Sequence, residues 1–450
     1  MSRRLSAAVV LALTCLVAPS LIQLMVVEDP LVSPWWIEGR ARESYGAWAF
    51  ARLPRNSGEV IRGSDGRLFH TESFRYLRGL ARRDTTLDGD NTSQRAIVTT
   101  QQQLADHDVD LLVVLVPPKA AVVSQDPPKT PRQWDGLDSW KEALSAKGVE
   151  LLDLTELVRG AAAPSYLLHD THWSPATASL AARYVADVLE ERGLRPIGER
   201  SEFDHRRVVV RARGDLAELL PGGRALEGEE LTLHQVALTY DGRAPIGATD
   251  SPVVLLGDSF TLAFSDPRLG LGRQAGFAEH LADALGMPLD VVAIPGGAAT
   301  QARRAFARRG SGLSGKRLVI WQIAQRDILR ARDGWHTVDL SAPSITTTSA
   351  DGEIETRIRL LDHLVPETID YADCLVLLPF ERVGANPELP ERFTVGAWGW
   401  RDFEALAPLA LRPGDELEVT LKALDQAVSL ENTCWMGDLG AANYFAVDGL

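Results

Sequence analysis

Short apolar runs alternate with amphipathic segments through the middle of the chain. Residues Asp110–Val116 form an almost unbroken apolar run, and residues 253–256, 289–294 and 318–321 are runs of the same kind. Such runs are typical of strands that are buried on both faces of a sheet. Residues 174–192, 276–285 and 298–309 carry apolar side chains at helical spacing. This alternation predicts an α/β fold with a mostly parallel sheet, whose active site would lie at the carboxyl ends of the strands.

The last quarter of the chain has a different pattern. Residues 374–379, 393–400 and 416–421 resemble short strands, and turn sequences such as 412–415 separate them. The pattern predicts a β-rich domain, a β-sandwich of the carbohydrate-binding kind. Trp398 and Trp400 would share one face of a strand and could stack on sugar rings, with Arg401 beside them as a hydrogen-bond donor. The alternative is that both tryptophans pack into the core.

The charge distribution supports a boundary between these two parts. The 450 residues carry a formal net charge of −14, and residues 335–450 hold 20 acidic against 7 basic side chains. We therefore predict domains at 58–334 and 335–450. A pI near 5.2 argues against nucleic acid as a partner. Three cysteines cannot form a disulfide scaffold or a four-thiolate zinc site, although Cys374 and Cys434 could pair in an oxidising compartment.

The first 28 residues have the features of an export segment. Arg3 and Arg4 precede a long apolar run over residues 5–27. A positive start followed by an apolar stretch of this length indicates a signal peptide or an uncleaved signal anchor. Either reading predicts that the rest of the protein is periplasmic or otherwise extracytoplasmic.

Residues 301–333 are rich in arginine, with Arg326 among the basic side chains. One interpretation is a solvated basic face that also faces the acidic tail. The other is a positive rim for an anionic substrate. On the second interpretation we expect Arg326, together with Lys119 after the first apolar run, to contact the substrate.

Two short segments carry the candidate chemistry. Gly257-Asp258-Ser259-Phe260 follows an apolar run, so a sharp turn would present the Ser259 hydroxyl at the sheet edge, unless Ser259 simply caps the next helix. His169-Asp170-Thr171-His172-Trp173-Ser174 places Asp170 and His172 two residues apart, so the carboxylate could orient the imidazole. The alternative is that Asp170 or Ser174 caps a helix and His172 is a buried structural residue. A metal site at His169, Asp170 and His172 lacks a third well-spaced ligand, so no metal is predicted.

In this order the two motifs resemble the SGNH-hydrolase-like domain of alginate O-acetyltransferases of the AlgJ/AlgX type. Residues 63–69, Pro117-Pro118-Lys119 and Gly214-Asp215-Leu216 resemble further segments of that family. The resemblance covers about residues 60–330 and implies a three-layer α/β domain. Gln322 stands where the family is expected to have an acidic residue, and Arg67 where tryptophan is expected.

The resemblance also implies roles. Ser259 would be the nucleophile, His172 the general base and Asp170 its orienting acid, with the oxyanion hole formed by the amide of Ser259 and the glycine turn Gly296-Gly297. The implied activity is O-acetylation of an exopolysaccharide without a cofactor. The acetyl donor would be a membrane-bound O-acyltransferase, and other polysaccharide secretion proteins would be partners. Two alternatives stay open: an acetyl esterase with the same triad, and a non-catalytic glycan-binding scaffold.

Overall fold

A computed structural model describes most of the chain beyond residue 58. The described residues are 59–63, 65–80, 92–123, 131–162, 164–196, 198, 200–219, 226–307, 312–331, 334–340, 353–362, 374–384, 389–401, 404–424, 434–436, 443–447 and 449–450. The predicted export segment lies outside them. Within these ranges, none of the helices combines the length and the apolar character that crossing a membrane requires.

A five-stranded parallel sheet forms the centre of the first part. Its strands are β3 (Asp110–Val116), β4 (Glu150–Asp153), β7 (Val253–Gly257), β8 (Asp290–Ala293) and β9 (Leu318–Ala324). They lie in the order β4-β3-β9-β7-β8, and all neighbouring pairs are parallel. The four apolar runs of the sequence are therefore confirmed as buried strands of one sheet, and the predicted α/β fold is confirmed with them.

Helices surround this sheet. They are α1 (Thr71–Leu77), α2 (Ser93–Ala105), α3 (Lys119–Val122), α4 (Leu137–Ser145), α5 (Thr155–Arg159), α6 (Pro175–Glu191), α7 (Asp215–Glu218), α8 (Ser259–Leu262), α9 (Phe277–Leu285), α10 (Gln301–Ala307) and α11 (Asp327–Arg330). The side chain of Ser174 accepts a hydrogen bond from the amide of Thr177 and so caps α6. The predicted helices at 174–192, 276–285 and 298–309 correspond to α6, α9 and α10.

Successive residues of each strand face opposite apolar layers. In β3, Val113 belongs to the apolar layer that includes residues of α2, α4 and α10, whereas Val114 belongs to the layer that includes residues of α6 and α9. A parallel sheet covered on both faces gives the expected three-layer arrangement. Two antiparallel pairs lie outside it: β1 (Val60–Arg62) with β2 (Leu68–His70), and β5 (Phe203–Ala212) with β6 (Glu229–Leu238).

The tail is β-rich, as predicted, and its strands form one sheet. They are β10 (Ile354–Leu360), β11 (Cys374–Arg382), β12 (Arg392–Arg401), β13 (Glu404–Ala405), β14 (Glu416–Ala423), β15 (Cys434–Met436) and β16 (Asn443–Ala446). Pairing of β11 with β12 closes the ring β12-β16-β14-β10-β11 into a small barrel, where the sequence pattern suggested two packed sheets. Closure pairs strand edges that a sandwich would leave open.

The segment at the predicted boundary is attached to the α/β part. The indole of Trp335 is buried and donates to the carbonyl of Asp327, and the amide of Leu340 donates to the side chain of Gln103. The guanidinium of Arg303 is buried and donates to the carbonyl of His336. The net charge along the chain becomes strongly negative from Trp335, but the residues that directly follow still pack on the α/β part. The first tail strand begins later, at Ile354.

Candidate active site

The Ser259 motif lies at the carboxyl end of β7, where the chain turns into α8. The carboxylate of Asp258 accepts a hydrogen bond from the amide of Phe260 at 2.8 Å and so caps this short helix. A Cβ on Gly257 would lie 2.9 Å from both the Gln322 Oε1 atom and the Thr261 Cβ atom, closer than real side chains approach. Only glycine allows the turn to pass this close to the neighbouring strand. The cap is thus Asp258, and Ser259 is the first helical residue.

Gln322, on the adjacent strand β9, holds this turn from below. Its Oε1 atom accepts hydrogen bonds from the amide of Asp258 at 3.2 Å and the hydroxyl of Thr261 at 2.8 Å. An amide group therefore serves here, at the position where the sequence comparison led us to expect an acid. The carboxyl of Asp258 is fully buried, and burial raises its pKa.

Asp170 and His172 form a buried hydrogen-bonded pair. The Nδ1 atom of His172 lies 2.6 Å from Asp170 Oδ1, and the amide of His172 donates to the same oxygen at 2.8 Å. Burial opposes ionisation of Asp170, but the charge of His172 and hydrogen bonds from its ring and from two backbone amides lower the pKa of Asp170 to about 2. Burial by itself would lower the pKa of His172. The Asp170 carboxylate outweighs this effect, so the pKa of His172 is raised. The ionised carboxylate thus fixes the ring with a proton on Nδ1.

The other ring nitrogen of His172 is open. Its Nε2 atom is buried and has no hydrogen-bond partner among the described residues. The imidazole meets the ring of Phe260 edge to face, with centroids 5.0 Å apart, and Trp173 packs on the same phenyl ring at 5.5 Å. Because Phe260 directly follows Ser259, these contacts place the imidazole of His172 beside the turn that carries the serine. The two sequence motifs meet at this ring.

The Gly214-Asp215 pair holds the Asp170 loop from the other side, and sequence reasoning gave it no role. Gly214 has φ +90°, and a Cβ there would lie 2.5 Å from the carbonyl oxygen of His169. The amide of Asp215 donates to Asp170 Oδ2, and the Asp215 Oδ1 atom accepts from the amide of Thr171, each at 2.8 Å. The signal that the sequence offered is the position of this glycine-acid pair between the Asp170–His172 motif and the Ser259 motif.

One group of described side chains has the spacing of a metal site. Ligand-type atoms of Asp170, His172 and Asp215 lie within 4.8 Å of one another. His169, which the sequence brought into consideration as a ligand, is not part of this group. Asp170 Oδ1 is hydrogen-bonded to His172 Nδ1, Asp170 Oδ2 accepts from the amide of Asp215, and both Asp215 oxygens accept from Thr171. A cation would have to break these bonds, so the arrangement favours proton transfer.

Lys119 lies beneath the site rather than in it, contrary to our expectation. The ammonium group is buried and donates to the carbonyl oxygens of Leu68, Leu168 and Asp170 at 2.7, 2.9 and 3.0 Å. An ammonium has three protons, and each has an acceptor here. Lys119 therefore ties β2 to the loop that carries Asp170 and has no donor left for a substrate.

Arg326 does lie at the site. It follows β9, the neighbour of β7, and its guanidinium packs 5.7 Å from the centroid of the Phe260 ring. Its side chain is 13% exposed. Its Nε atom lies 3.7 Å from the carboxylate of Asp327, which is long for an ion pair. Its charge is close enough to oppose protonation of His172. Arg326 is thus a cation beside the turn that carries Ser259, without a tight counter-ion among the described residues.

One of the two glycines after β8, Gly297, does not supply the expected oxyanion donor, whereas the role expected for Gly296 stays a prediction. The amide of Gly297 donates to the carbonyl of Ile294 at 2.8 Å, so it is already used. In the first turn of α8 the amide of Phe260 is bound by the Asp258 carboxylate, and that of Thr261 by the Asp258 carbonyl at 3.1 Å. The oxyanion role expected for the amide of Ser259, the remaining amide of this turn, stays a prediction.

The tail residues give a mixed result. Trp398 is partly buried and packs against Leu375, Leu377 and Leu424, which favours the core alternative for this side chain. The side chains of Trp400 and Arg401 lie outside the described part. The pairing of β11 with β12 shifts by one residue between Trp398 and Trp400, so a bulge interrupts the alternation on which their shared face depends.

These features define an SGNH-hydrolase-like domain with a serine at the carboxyl edge of a parallel sheet. A family model described as the SGNH hydrolase-like domain of acetyltransferase AlgX matches residues 60–325, more than half of the chain. The chain belongs to this family.

Solved structures with related folds have low sequence identity to this chain. The O-acetyltransferase domain of Pseudomonas putida AlgJ is 20% identical over 60% of this chain and 92% of that one, with a TM-score of 0.47. Pseudomonas aeruginosa AlgX is 16% identical over 68% of this chain and 70% of that one, with a TM-score of 0.46. Bacillus cereus PatB1 is 13% identical over 62% of this chain and 98% of that one, with a TM-score of 0.37. No curated protein sequence matches the chain.

Proposed function

We propose that this protein is an extracytoplasmic O-acetyltransferase that places acetyl groups on hydroxyls of an exopolysaccharide through an acetyl-Ser259 intermediate. The observation that carries the proposal is the buried Asp170–His172 pair, whose imidazole packs against Phe260, the residue that follows Ser259, and whose Nε2 atom has no partner among the described residues. A serine hydroxyl needs such a base to become a nucleophile.

In the first half-reaction, His172 Nε2 takes the proton of the Ser259 hydroxyl while the oxygen attacks the carbonyl carbon of an acetyl donor. The tetrahedral intermediate then expels the donor's oxygen, which receives the proton from His172. The products are acetyl-Ser259 and the free donor alcohol. The ionised Asp170 stabilises the imidazolium that forms between the two proton transfers.

In the second half-reaction, a sugar hydroxyl gives its proton to His172 and attacks the acetyl ester. The Ser259 oxygen leaves and recovers the proton, so the enzyme returns to its starting state and the sugar carries the acetyl group. The negative oxygen of each intermediate would be bound by the amide of Ser259 and by the guanidinium of Arg326, which contacts Phe260. No cofactor is required.

The acetyl donor has to be delivered outside the cytoplasm. The positive start and long apolar run of residues 1–28 support export or anchoring there. We therefore propose a membrane-bound O-acyltransferase as the source of acetyl groups and a polysaccharide secretion complex as the setting. Glycan contact by Trp400 and Arg401 in the tail remains part of this proposal, and Trp398 is left as a core residue.

Peptide mass spectrometry of the soluble region, from about residue 28, tests the proposal. The protein is exposed to an activated acetyl ester with and without a sugar oligomer. We expect an acetyl group on the Ser259 peptide, transferred to the oligomer when it is present, and none in Ser259→Ala. Ser139→Ala, which changes an exposed serine on α4, is the control and should behave like wild type.

Different outcomes lead to different functions. Discharge of acetyl-Ser259 only to water would favour the esterase. Absence of acetylation with every donor tried, together with glycan binding that Ser259→Ala retains, would favour the non-catalytic scaffold. Acetylation of Ser259→Ala at the wild-type rate would contradict the assignment of the nucleophile.

A further inference from the structure

A second carboxylate lies beside the candidate base. Asp215 Oδ2 is 3.9 Å from His172 Nδ1, the nitrogen that Asp170 binds at 2.6 Å. The mechanism above does not use this group. Asp215 begins the one-turn helix α7, and its side chain is 42% exposed at the edge of the site.

The carboxylate of Asp215 is held in place by the loop it faces. Its Oδ1 atom accepts from the amide of Thr171, and its Oδ2 atom accepts from the Thr171 hydroxyl. Its own amide donates to Asp170 Oδ2. Thr171 lies between Asp170 and His172 in the chain, so these bonds fix both residues relative to Asp215.

The charges around His172 are unevenly placed. Asp170 and Asp215 face it on the Nδ1 side, the carboxyl of Asp258 interacts with its charge from the serine turn, and the guanidinium of Arg326 opposes its protonation. Lys119, which donates to the Asp170 carbonyl, faces both carboxylates from below. Although 42% of the Asp215 side chain is exposed, partial removal from water and the charge of Asp170 raise its pKa, to about 6, so Asp215 carries a negative charge at neutral pH.

We propose that Asp215 is a positioning residue of the Asp170–His172 pair and supplies a second negative charge that stabilises the imidazolium of His172. This inference rests on the proposed role of His172 as the base. Two opposite charges within about 4 Å attract each other appreciably even at the high effective dielectric of a protein edge.

The variant Asp215→Asn separates the charge from the packing. Asparagine keeps the oxygen that accepts from the Thr171 amide and places an NH₂ group opposite the Thr171 hydroxyl, which can rotate to accept. Without the charge, the pKa of His172 falls. Because the base works only when unprotonated, the pH below which activity declines should move to lower pH. The rate at the optimum should fall about tenfold, far less than the roughly 10³- to 10⁴-fold loss expected for Asp170→Asn.

Two measurements on the full chain test this inference. The first is an NMR titration of the histidine side chains in ¹⁵N-histidine-labelled protein, with His172 assigned among the nine histidines from a His172→Gln spectrum. The second is the pH profile of acetyl transfer. Thr171→Val is the matched control, since it removes the hydroxyl bond to Asp215 and keeps the charge. Asp187→Asn, an exposed acid on α6, controls for net charge.

The inference is supported if His172 titrates at lower pH in Asp215→Asn and at the wild-type position in both controls. It is overturned if His172 titrates alike in all four proteins, or if Thr171→Val shifts it as much as Asp215→Asn. A shifted titration in a protein that transfers no acetyl group would support the electrostatic pairing and contradict the proposed function alone. The two failures are thus distinguishable.

Discussion

The α/β part and the β-rich tail differ in what they bury. Along the carboxyl edge of the parallel sheet, the α/β part encloses Asp170, His172, Asp258 and Gln322, together with Lys119 beneath them. Among the described residues of the tail, the buried polar groups are the side chain of Thr394 and the hydroxyl of Tyr444. Burying charged and amide groups lowers stability unless each is paired. A fold retains such groups where a function needs them, so the comparison places the chemistry in the α/β part.

The tail places its charges on its surface instead. Arg359 donates to Glu416 and Glu381 across neighbouring strands, and Arg357 donates to Glu418. These pairs lie over an apolar interior that includes Ile358, Val376 and Val395. The tail is therefore built as a stable β-barrel whose described core shows no reactive arrangement of polar groups.

The largest effect that would confirm the chemical role of the α/β part is expected on removal of the Arg326 cation. Arg326→Ala should lower the rate of acetyl-Ser259 formation by about 10²-fold, because the negative oxygen of the intermediate loses one of its two donors. Rates of single-turnover acetylation measure the effect. Arg317→Ala removes an exposed arginine just before the amino end of β9 and is the control. An unchanged rate in Arg326→Ala would remove Arg326 from the oxyanion site.

Gly214→Ala should have the next largest effect, about tenfold on activity. The added methyl group would press on the His169 carbonyl, and the left-handed backbone at φ +90° disfavours alanine. Strain of this kind costs about 1–3 kcal/mol of stability. Thermal unfolding and acetyl transfer are measured together. Gly148→Ala, where φ is +79° and nothing lies near the added Cβ, is the matched control for backbone strain.

Glu279 gives the α/β part a pH-dependent stability. Burial raises its pKa to about 7 from the ordinary 4.5. Since the folded state holds the proton more tightly than the unfolded state, this contribution to stability is complete below pH 4.5 and is lost as the pH rises through about 7. In Glu279→Gln the melting temperature should decline less between these pH values. Glu142→Gln, an exposed acid on α4, should keep the wild-type slope, and an identical slope in both variants would contradict the assignment.

The smallest effect is expected in the tail. Arg359→Ala removes two exposed ion pairs, and such pairs are weakened by water and salt. We expect little change in the melting temperature at 0.15 M salt or above and no change in acetyl-Ser259 formation. A loss of acetylation in this variant would contradict the assignment of the chemistry to the α/β part, because it would show that the tail barrel takes part in the reaction.

The sequence by itself determined four of the five strands of the sheet, all but β4, and the two motifs at its edge. Runs such as Asp110–Val116 are apolar on both faces and can be stable only inside a covered sheet, so their position follows from composition. The two-residue spacing of Asp170 and His172 likewise allows their hydrogen bond through local geometry. A local pattern is sufficient wherever the interacting groups are close in the chain.

The tertiary structure alone decided the roles that depend on distant partners. Lys119 is a structural donor because Leu68 and Leu168 bring carbonyl groups to it, and Gly297 is excluded as a donor because its amide turns to Ile294. Asp215 meets His172 only because Gly214 lets two loops touch. Closure of the tail barrel depends on pairing between β11 and β12, which strand patterns do not specify. These outcomes depend on hydrogen bonds and contacts between residues that are far apart in the chain. Local sequence patterns do not predict which distant residues meet.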